Sequence, residues 1–147
     1  MKLTHYLLSL FLSLATFAFV ACDNDEDDIK SPPKTVESAF AEKYPNAQFV
    51  DWEREYGLYK AELRNDATIS EAWFEADGSW VKTETNVLPN TLPQPVLDYV
   101  ALNYQGYRID DADRIETPER NYYELELEKG DRLEFHLLIL PDATPLN

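Results

Sequence analysis

The chain has 147 residues and carries 28 aspartates and glutamates against 13 lysines and arginines, a formal net charge of −15 at pH 7. A surface this acidic repels nucleic acid and anionic lipid head groups, and we expect neither as a partner. Electrostatic steering instead favours a basic protein as the partner. The single cysteine excludes an internal disulfide.

The amino-terminal segment LTHYLLSLFLSLATFAFVAC, residues 3–22, is apolar and ends in a small alanine before the cysteine. These features predict a bacterial lipoprotein signal peptide over residues 1–21, with Cys22 as the lipid acceptor. A membrane-spanning helix would need about 20 apolar residues, and the polar Thr4 and His5 shorten the run. We therefore expect the lipid anchor to be the only attachment to a membrane.

Residues 22–34 form a predicted acidic tether between the anchor and the folded part. The carboxylates that follow the cysteine are Asp23, Asp25, Glu26, Asp27 and Asp28. A block of like charges stays extended and solvated, and Pro32 and Pro33 close it. An acidic run directly after such a cysteine also resembles the surface-export signal of some Gram-negative lipoproteins. This resemblance implies an outer-membrane lipoprotein in the cell envelope of a Gram-negative bacterium, facing the periplasm or exposed at the surface.

The remaining chain, residues 35–147, divides into two similar halves. The first opens TVESAFAEKYPNAQFVDWE and the second LPQPVLDYVALNYQGYRID, each with apolar residues at helical spacing. These residues are Val36, Ala39, Phe40 and Tyr44 in the first half, and Val96, Tyr99, Val100 and Tyr104 in the second. Strand-like segments follow in both halves, YKAELR and AWFEADG in the first, YELELE and LLILPDA in the second.

This pattern predicts an α+β fold of two tandem repeats, residues 35–90 and 91–147. Each repeat is expected to contain one helix followed by an antiparallel meander of three to four strands, with the helices packed on one face of the sheet. We expect the second repeat to lack its last strand, because the sequence ends at Asn147.

The pair Asp77-Gly78 predicts a two-residue type I′ hairpin turn. That turn sets the cross-strand pairs Ala72 with Thr83, Phe74 with Val81, and Glu75 with Trp80. Because side chains alternate along a strand, Trp73 and Trp80 are then both expected on the charged face that points to water. A similar hairpin turned at Tyr56-Gly57 makes Trp52 a core residue.

Two tryptophans on an otherwise charged sheet face indicate a binding surface, because tryptophan is enriched in interface hot spots. The predicted surface consists of Trp73, Trp80, Glu71, Glu75 and Lys82. The alternative is that the two rings only stabilise the hairpin, through a diagonal contact and Lys82 stacked on a ring.

A cluster of carboxylates and one imidazole in the second half is another candidate site. Its members are Glu124, Glu126, Glu134 and His136. If the two strands pair around the turn KGD, these four side chains lie on the outer face. The side chains that then point inward are Leu125, Leu127, Leu133 and Phe135. Such a cluster suits a divalent cation or acid–base chemistry, and the alternative is a solvated face of an acidic protein.

Catalytic motifs are absent from the sequence after the signal peptide. His136 is the only histidine there, no second cysteine occurs, and neither a Gly-x-Ser-x-Gly motif nor a glycine-rich phosphate loop is present. We therefore expect neither an enzyme nor a bound cofactor.

The segments AFAEKYPNAQFVDWE, YKAEL, EAWFEADGSWVKTE, and IETP before YYELELE resemble the PepSY-like lipoproteins, also described as β-lactamase-inhibitor-like. The resemblance extends from Val36 to Pro145. It implies a duplicated helix-and-sheet unit whose open, concave sheet face grips another protein. The chain departs from the family at Pro141-Asp142-Ala143, which replaces the Asp-Gly turn, so we expect the last hairpin to be incomplete.

These observations predict an exported, lipid-anchored, non-enzymatic module that docks or inhibits another envelope or extracellular protein through its open sheet face. The alternative is a surface lipoprotein that binds cations or carbohydrate, which the cluster around His136 would favour.

Overall fold

A computed structural model describes residues 27–28, 31–65, 68–130 and 133–146. The predicted signal peptide, Cys22 and most of the acidic tether lie outside the described residues. The strands are β1 (Asp27–Asp28), β2 (Gln48–Glu55), β3 (Leu58–Asn65), β4 (Thr68–Phe74), β5 (Trp80–Asn86), β6 (Arg108–Glu116), β7 (Asn121–Glu128) and β8 (Leu133–Ile139). The helices are α1 (Lys34–Lys43), α2 (Gln94–Asn103) and a short 3-10 helix (Pro89–Thr91).

The strands form one open antiparallel sheet in the order β1 to β8, so each strand pairs with its neighbours in sequence. The prediction of two repeats, each a helix with its own meander, is therefore wrong. Seven of the strands have seven to nine residues, and the two α-helices have only ten residues each.

The pairing of β5 with β6 accounts for this correction. It runs from Thr83 opposite Glu116 to Asn86 opposite Asp113, across the boundary that we had placed between the repeats. Two separate meanders would each have left an edge strand with unpaired N–H and C=O groups, and pairing β5 with β6 satisfies both edges in one sheet.

Each helix begins directly after a proline and buries two apolar residues against the sheet. The Pro33 carbonyl accepts the first hydrogen bonds of α1, and α2 starts in the same way after Pro93. Helix α1 buries Val36 and Phe40, which the helical spacing had predicted, and ends where Pro45 removes a backbone donor.

The core consists of two clusters that lie on the same face of the sheet. The cluster under α1 contains Val36, Phe40, Trp52, Ala61, Leu63, Ala72 and Phe74. The cluster under α2 contains Leu92, Val96, Val100, Ala112, Leu125, Leu127, Leu137 and Ile139. Ala72 pairs with Thr83 and Thr83 with Glu116, which is an even number of residues from Ala112, so both clusters point to one side. We call this side the helix face and the opposite side the outer face.

The turn after β8 is closed, although only one bridge follows it in the described residues and no further strand forms there. The N–H of Leu140 donates to the Thr144 carbonyl at 2.8 Å, and the Asp142 carboxylate accepts the N–H of Thr144 at 3.0 Å. Ala143 adopts a positive φ of 70° there, and Pro145 then forms a single bridge to Ile139. The turn is thus formed without glycine, and one bridge follows it.

Among the described residues, neither helix is long and apolar enough to cross a membrane.

Candidate functional site

The outer face carries most of the charged side chains that alternate with the core. Its carboxylates on β2 to β5 include Glu53, Glu55, Glu62, Glu71 and Glu84, and its lysines are Lys60 and Lys82. Neither helix covers this face, because both pack on the opposite side.

Trp73 lies on the outer face, as predicted, but its ring is buried. Only 5% of its surface is exposed, although it belongs to neither core cluster. Its Nε1 donates to Glu55 Oε2 at 2.9 Å, and Lys82 Nζ lies 3.9 Å from the ring centroid. Lys82 in turn pairs with Glu84 at 2.8 Å. Charged side chains therefore cover the indole of Trp73. The outer face exposes these charges to solvent, and the buried ring beneath fixes the position of Lys82.

Lys60 is the electrostatic centre of the same region. Its Nζ lies 2.7 Å from Glu53, 3.3 Å from Glu71 and 3.7 Å from Glu55. Partial burial acts to lower the pKa of Lys60, but the hydrogen bond to Glu53 and the charges of the three glutamates outweigh it and raise that pKa above its ordinary value. The ammonium group thus stays protonated at all physiological pH values.

Trp80 lies on the helix face, so its predicted place beside Trp73 is wrong. The hairpin loop has three residues, closed by the N–H of Glu75 donating to the Ser79 carbonyl at 2.9 Å. Gly78 takes the left-handed position, with φ of 92°. Trp80 then pairs with Phe74, and Val81 becomes the extra residue of a β-bulge. Because one residue of slip reverses a side chain, the tryptophan points to the helices.

On the helix face, Trp80 joins the start of β5 to the end of α1. Lys43 Nζ lies 3.3 Å from its ring centroid, and its Nε1 donates to Thr83 Oγ1 at 3.0 Å. Thr83 also shares a hydrogen bond with the Tyr44 hydroxyl. Burial raises the pKa of Tyr44 above its ordinary value, so this hydroxyl remains a neutral partner.

The other members of the predicted surface divide in the same way. Glu71 and Lys82 lie on the outer face beside Trp73, where they take part in the ion pairs with Lys60 and Glu84. Glu75 is exposed in the hairpin loop. The structure therefore brings together Trp73, Glu71 and Lys82, and separates them from Trp80.

In the second half, His136 lies between two glutamates of β7. Its Nδ1 is 3.0 Å from Glu124, and its Nε2 is 3.7 Å from Glu126, on the outer face where we predicted them. The side chain of Glu134 lies outside the described part of the chain. Within the described residues, no group of three or more histidines, cysteines and carboxylates is arranged to hold a metal ion.

Two carboxylates of β6 extend this acidic region towards β5. Asn86 Nδ2 donates to Asp111 at 2.7 Å and to Asp113 at 3.3 Å. Burial raises the pKa of Asp113, and the nearby charges of Asp111, Glu84 and Glu124 add to the rise. We call Asp111, Asp113, Glu124 and Glu126 the acidic band.

Ile115 is a buried outer-face residue that the sequence did not reveal. It is 2% exposed and pairs with Glu84 and Tyr122, and it belongs to neither core cluster. A bulge between Ile109 and Asp111 puts the two isoleucines of β6 on opposite faces, although their even spacing suggests one face. No local signal in the sequence marks that bulge.

The family described as "Putative beta-lactamase-inhibitor-like, PepSY-like" matches residues 18–70 and 57–139. The chain belongs to this family. The resemblance seen in the sequence is thereby confirmed. No curated protein sequence shows significant similarity to this PepSY-like chain.

Solved structures of Bacteroides proteins share the fold. A BLIP-like protein of Bacteroides fragilis is 27% identical, with a TM-score of 0.73 over 81% of this chain and 86% of its own. A DUF2874 family protein of Bacteroides ovatus is 24% identical, with a TM-score of 0.74 over 81% and 87%. A protein of Bacteroides eggerthii described as "putative periplasmic" is 20% identical, with a TM-score of 0.71 over 80% and 87%.

Proposed function

We propose that this PepSY-like protein is an exported, lipid-anchored, non-enzymatic binding module that docks another envelope protein through the outer face of its sheet. One observation carries the proposal. Neither helix covers the outer face, yet this face has its own ordered centre. Trp73 and Ile115 are buried there, with only 5% and 2% of their surfaces exposed. Its family and its BLIP-like structural relative support a protein-binding role.

The physical advantage of this centre is preorganisation of charge. A partner that meets long, mobile lysine and glutamate side chains must immobilise them, which costs about 0.5–1.5 kcal/mol for each. Here Lys60 is already held among Glu53, Glu55 and Glu71, and Lys82 is held over Trp73. The partner therefore contacts side chains whose positions are set in advance, and Trp73 acts by supporting them.

The chemistry of this face favours a basic partner. The acidic band lies beside this ordered centre, and burial together with the like charges of Asp111, Glu84 and Glu124 raises the pKa of Asp113. A lysine or arginine from a partner would relieve that repulsion and would speed association at low salt. The net charge of −15 also attracts a basic protein and so favours the same class of partner.

Charge reversal on the two faces tests the docking proposal. The outer-face variant Glu124→Lys, Glu126→Lys and the helix-side variant Glu42→Lys, Asp98→Lys change the net charge by the same amount. After crosslinking in native envelopes, we expect the parent and the helix-side variant to recover the same protein and the outer-face variant to lose it. Equal recovery by both variants, with unchanged melting temperatures, would refute the docking face.

The anchor and the location rest on the sequence and on one relative. Cys22 follows the signal-like segment, and the structural relative from Bacteroides eggerthii carries a periplasmic description. Labelling of cells with an alkynyl fatty acid should tag the parent and leave Cys22→Ser untagged. Equal labelling of parent and variant would exclude this cysteine as the acceptor.

A further inference from the structure

An apolar groove opens at the end of the sheet where β4 begins and β5 gives way to the 3-10 helix. Its volume is about 570 Å³, and it is lined by Thr68, Ile69, Asn86, Val87, Leu88 and Thr91. Ile69 and Leu88 leave 45% and 67% of their surfaces in water although both are large apolar residues. Apolar side chains exposed around one concavity are typical of a place where another molecule is bound.

The groove adjoins the acidic band through one shared residue. Asn86 lines the groove, and its side-chain amide holds the carboxylates of Asp111 and Asp113 at 2.7 Å and 3.3 Å. Asp113 also pairs across the sheet with Glu124. An apolar concavity and a cluster of negative charge therefore meet at Asn86, an outer-face residue at this end of the sheet.

We infer that this groove anchors the docking surface and takes a partner segment in which an apolar side chain stands next to lysine or arginine. The apolar side chain enters between Ile69 and Leu88, and the basic side chain pairs with Asp111 and Asp113. This inference rests on the proposed docking function and adds the chemistry of the partner. The groove alone would select only an apolar side chain, and the two carboxylates alone only a basic one. Together they select a segment that carries both side chains next to each other.

Short peptides test this pairing directly. The probes are the capped peptides Gly-Leu-Arg-Arg-Gly, Gly-Ala-Arg-Arg-Gly and Gly-Leu-Gln-Gln-Gly, titrated into the ¹⁵N-labelled protein to millimolar concentration. We expect the first to shift the backbone amide signals of Ile69, Asn86 and Leu88. Burial of a leucine side chain corresponds to roughly a tenfold to hundredfold gain in affinity, so the alanine peptide should bind at least about tenfold more weakly. The glutamine peptide should also weaken, because it cannot pair with the carboxylates.

Two exposed leucines supply a matched pair of variants. Leu88→Asn removes the apolar wall of the groove, and Leu102→Asn alters a leucine of α2 that is 74% exposed and does not line the groove. We expect about a tenfold loss of affinity for Gly-Leu-Arg-Arg-Gly in Leu88→Asn and none in Leu102→Asn. Both changes are neutral in charge, so they leave the electrostatic attraction of the peptide intact.

Two results would overturn the inference: no shift at these three amides, or equal affinity of parent and Leu88→Asn. Either result leaves the docking face itself to be judged by the charge-reversal variants in native envelopes. Conversely, peptide binding at the groove with no loss of the envelope partner in Glu124→Lys, Glu126→Lys would support the groove and refute the wider face.

Discussion

Phe74 pairs with Trp80 across the β4–β5 hairpin, and this pairing places Trp80 against Lys43 of α1 rather than beside Trp73. One bulged residue, Val81, produces the difference. The two tryptophans on either side of the Asp-Gly turn consequently serve different parts of the molecule. Trp80 packs against Lys43 and so joins α1 to the sheet, and Trp73 positions Lys82 on the outer face.

Replacing Trp80 by alanine should destabilise the protein without disturbing partner binding. The variant loses the contact with Lys43 and the hydrogen bond to Thr83. We expect the free energy of unfolding to fall by about 2 kcal/mol, less than for a fully buried tryptophan because Trp80 is half-buried. Trp80→Phe, which keeps a ring for Lys43, should lose about 1 kcal/mol. Urea denaturation measures both, and unchanged stability in Trp80→Ala would mean that the ring does not pack on α1.

Gly78 should tolerate a side chain much less well than Gly57. Both have a positive φ, 92° and 83°, but a Cβ on Gly78 would lie 2.9 Å from the Thr35 carbonyl oxygen, whereas none of the described atoms lies within 4 Å of one on Gly57. Gly57→Ala should therefore cost about 1 kcal/mol for backbone strain alone. Gly78→Ala should cost about 1–2 kcal/mol more, because α1 or the hairpin must move. Equal melting temperatures of the two variants would contradict the contact between the loop and α1.

Lys60→Met should destabilise the outer face, because it leaves Glu53, Glu55 and Glu71 close together without their cation. The side chain is 12% exposed, so we expect a loss of about 2 kcal/mol, below the value for a fully buried pair. Lys82→Met, which breaks a half-exposed pair with Glu84 and the contact of Lys82 Nζ with the Trp73 ring, should cost less than about 1 kcal/mol. Thermal unfolding at pH 7 compares the two, and a larger loss in Lys82→Met would contradict the central position of Lys60.

The contribution of Lys60 should also have a definite pH dependence. Its pKa is raised in the folded state, so the contribution is complete below the unfolded-state pKa of about 10.4 and is lost as pH rises through the folded-state value. The stability difference between parent and Lys60→Met should therefore stay constant from pH 7 to about 10 and shrink only above it. A difference that shrinks between pH 7 and 9 would contradict the ion-pair geometry.

Asp113→Asn should stabilise the protein at neutral pH. The pKa of Asp113 is raised on folding, so this carboxyl favours the folded state when protonated, and that contribution is lost as pH rises through the folded-state pKa. We expect a gain of roughly 0.2–1 kcal/mol at pH 7, because the substitution removes a partly buried charge and its repulsion by like charges, and no gain at about pH 3, where Asp113 is protonated. Chemical denaturation at both pH values measures this, and a loss at pH 7 would mean that the carboxylate has an unidentified cationic partner.

The helices and the core positions of the first hairpin follow from local patterns. Val36 and Phe40 on the buried side of α1, and Trp52 in the core, are found where the sequence predicts them. The register of β4 with β5 is also correct at Ala72 and Thr83. These features depend on periodicity and on turn residues a few positions away, so a single sequence contains the information for them.

The errors occur at bulges and at the joint between the halves. Trp80 lies beyond the bulged residue Val81, where the alternation rule reverses, and Ile115, for which no face was predicted, follows a second bulge. The loop of the β4–β5 hairpin packs on α1, with Thr35 donating to the Ala76 carbonyl at 2.9 Å, so its length depends on a residue some forty positions earlier. The pairing of β5 with β6 depends on which strand edges meet in the folded sheet. The spacing of residues along the sequence does not contain that information.

Site-specific photocrosslinking in intact cells tests the docking face most directly. A benzoylphenylalanine placed at Glu71 or Glu124 reports contacts of the outer face, and the same residue at Glu42 or Asp98 reports contacts on the helix side. We predict one discrete adduct from both outer-face positions and none from the helix-side positions. An adduct formed only from Glu42 or Asp98, or from none of the four, would contradict the assignment of the outer sheet face as the docking surface.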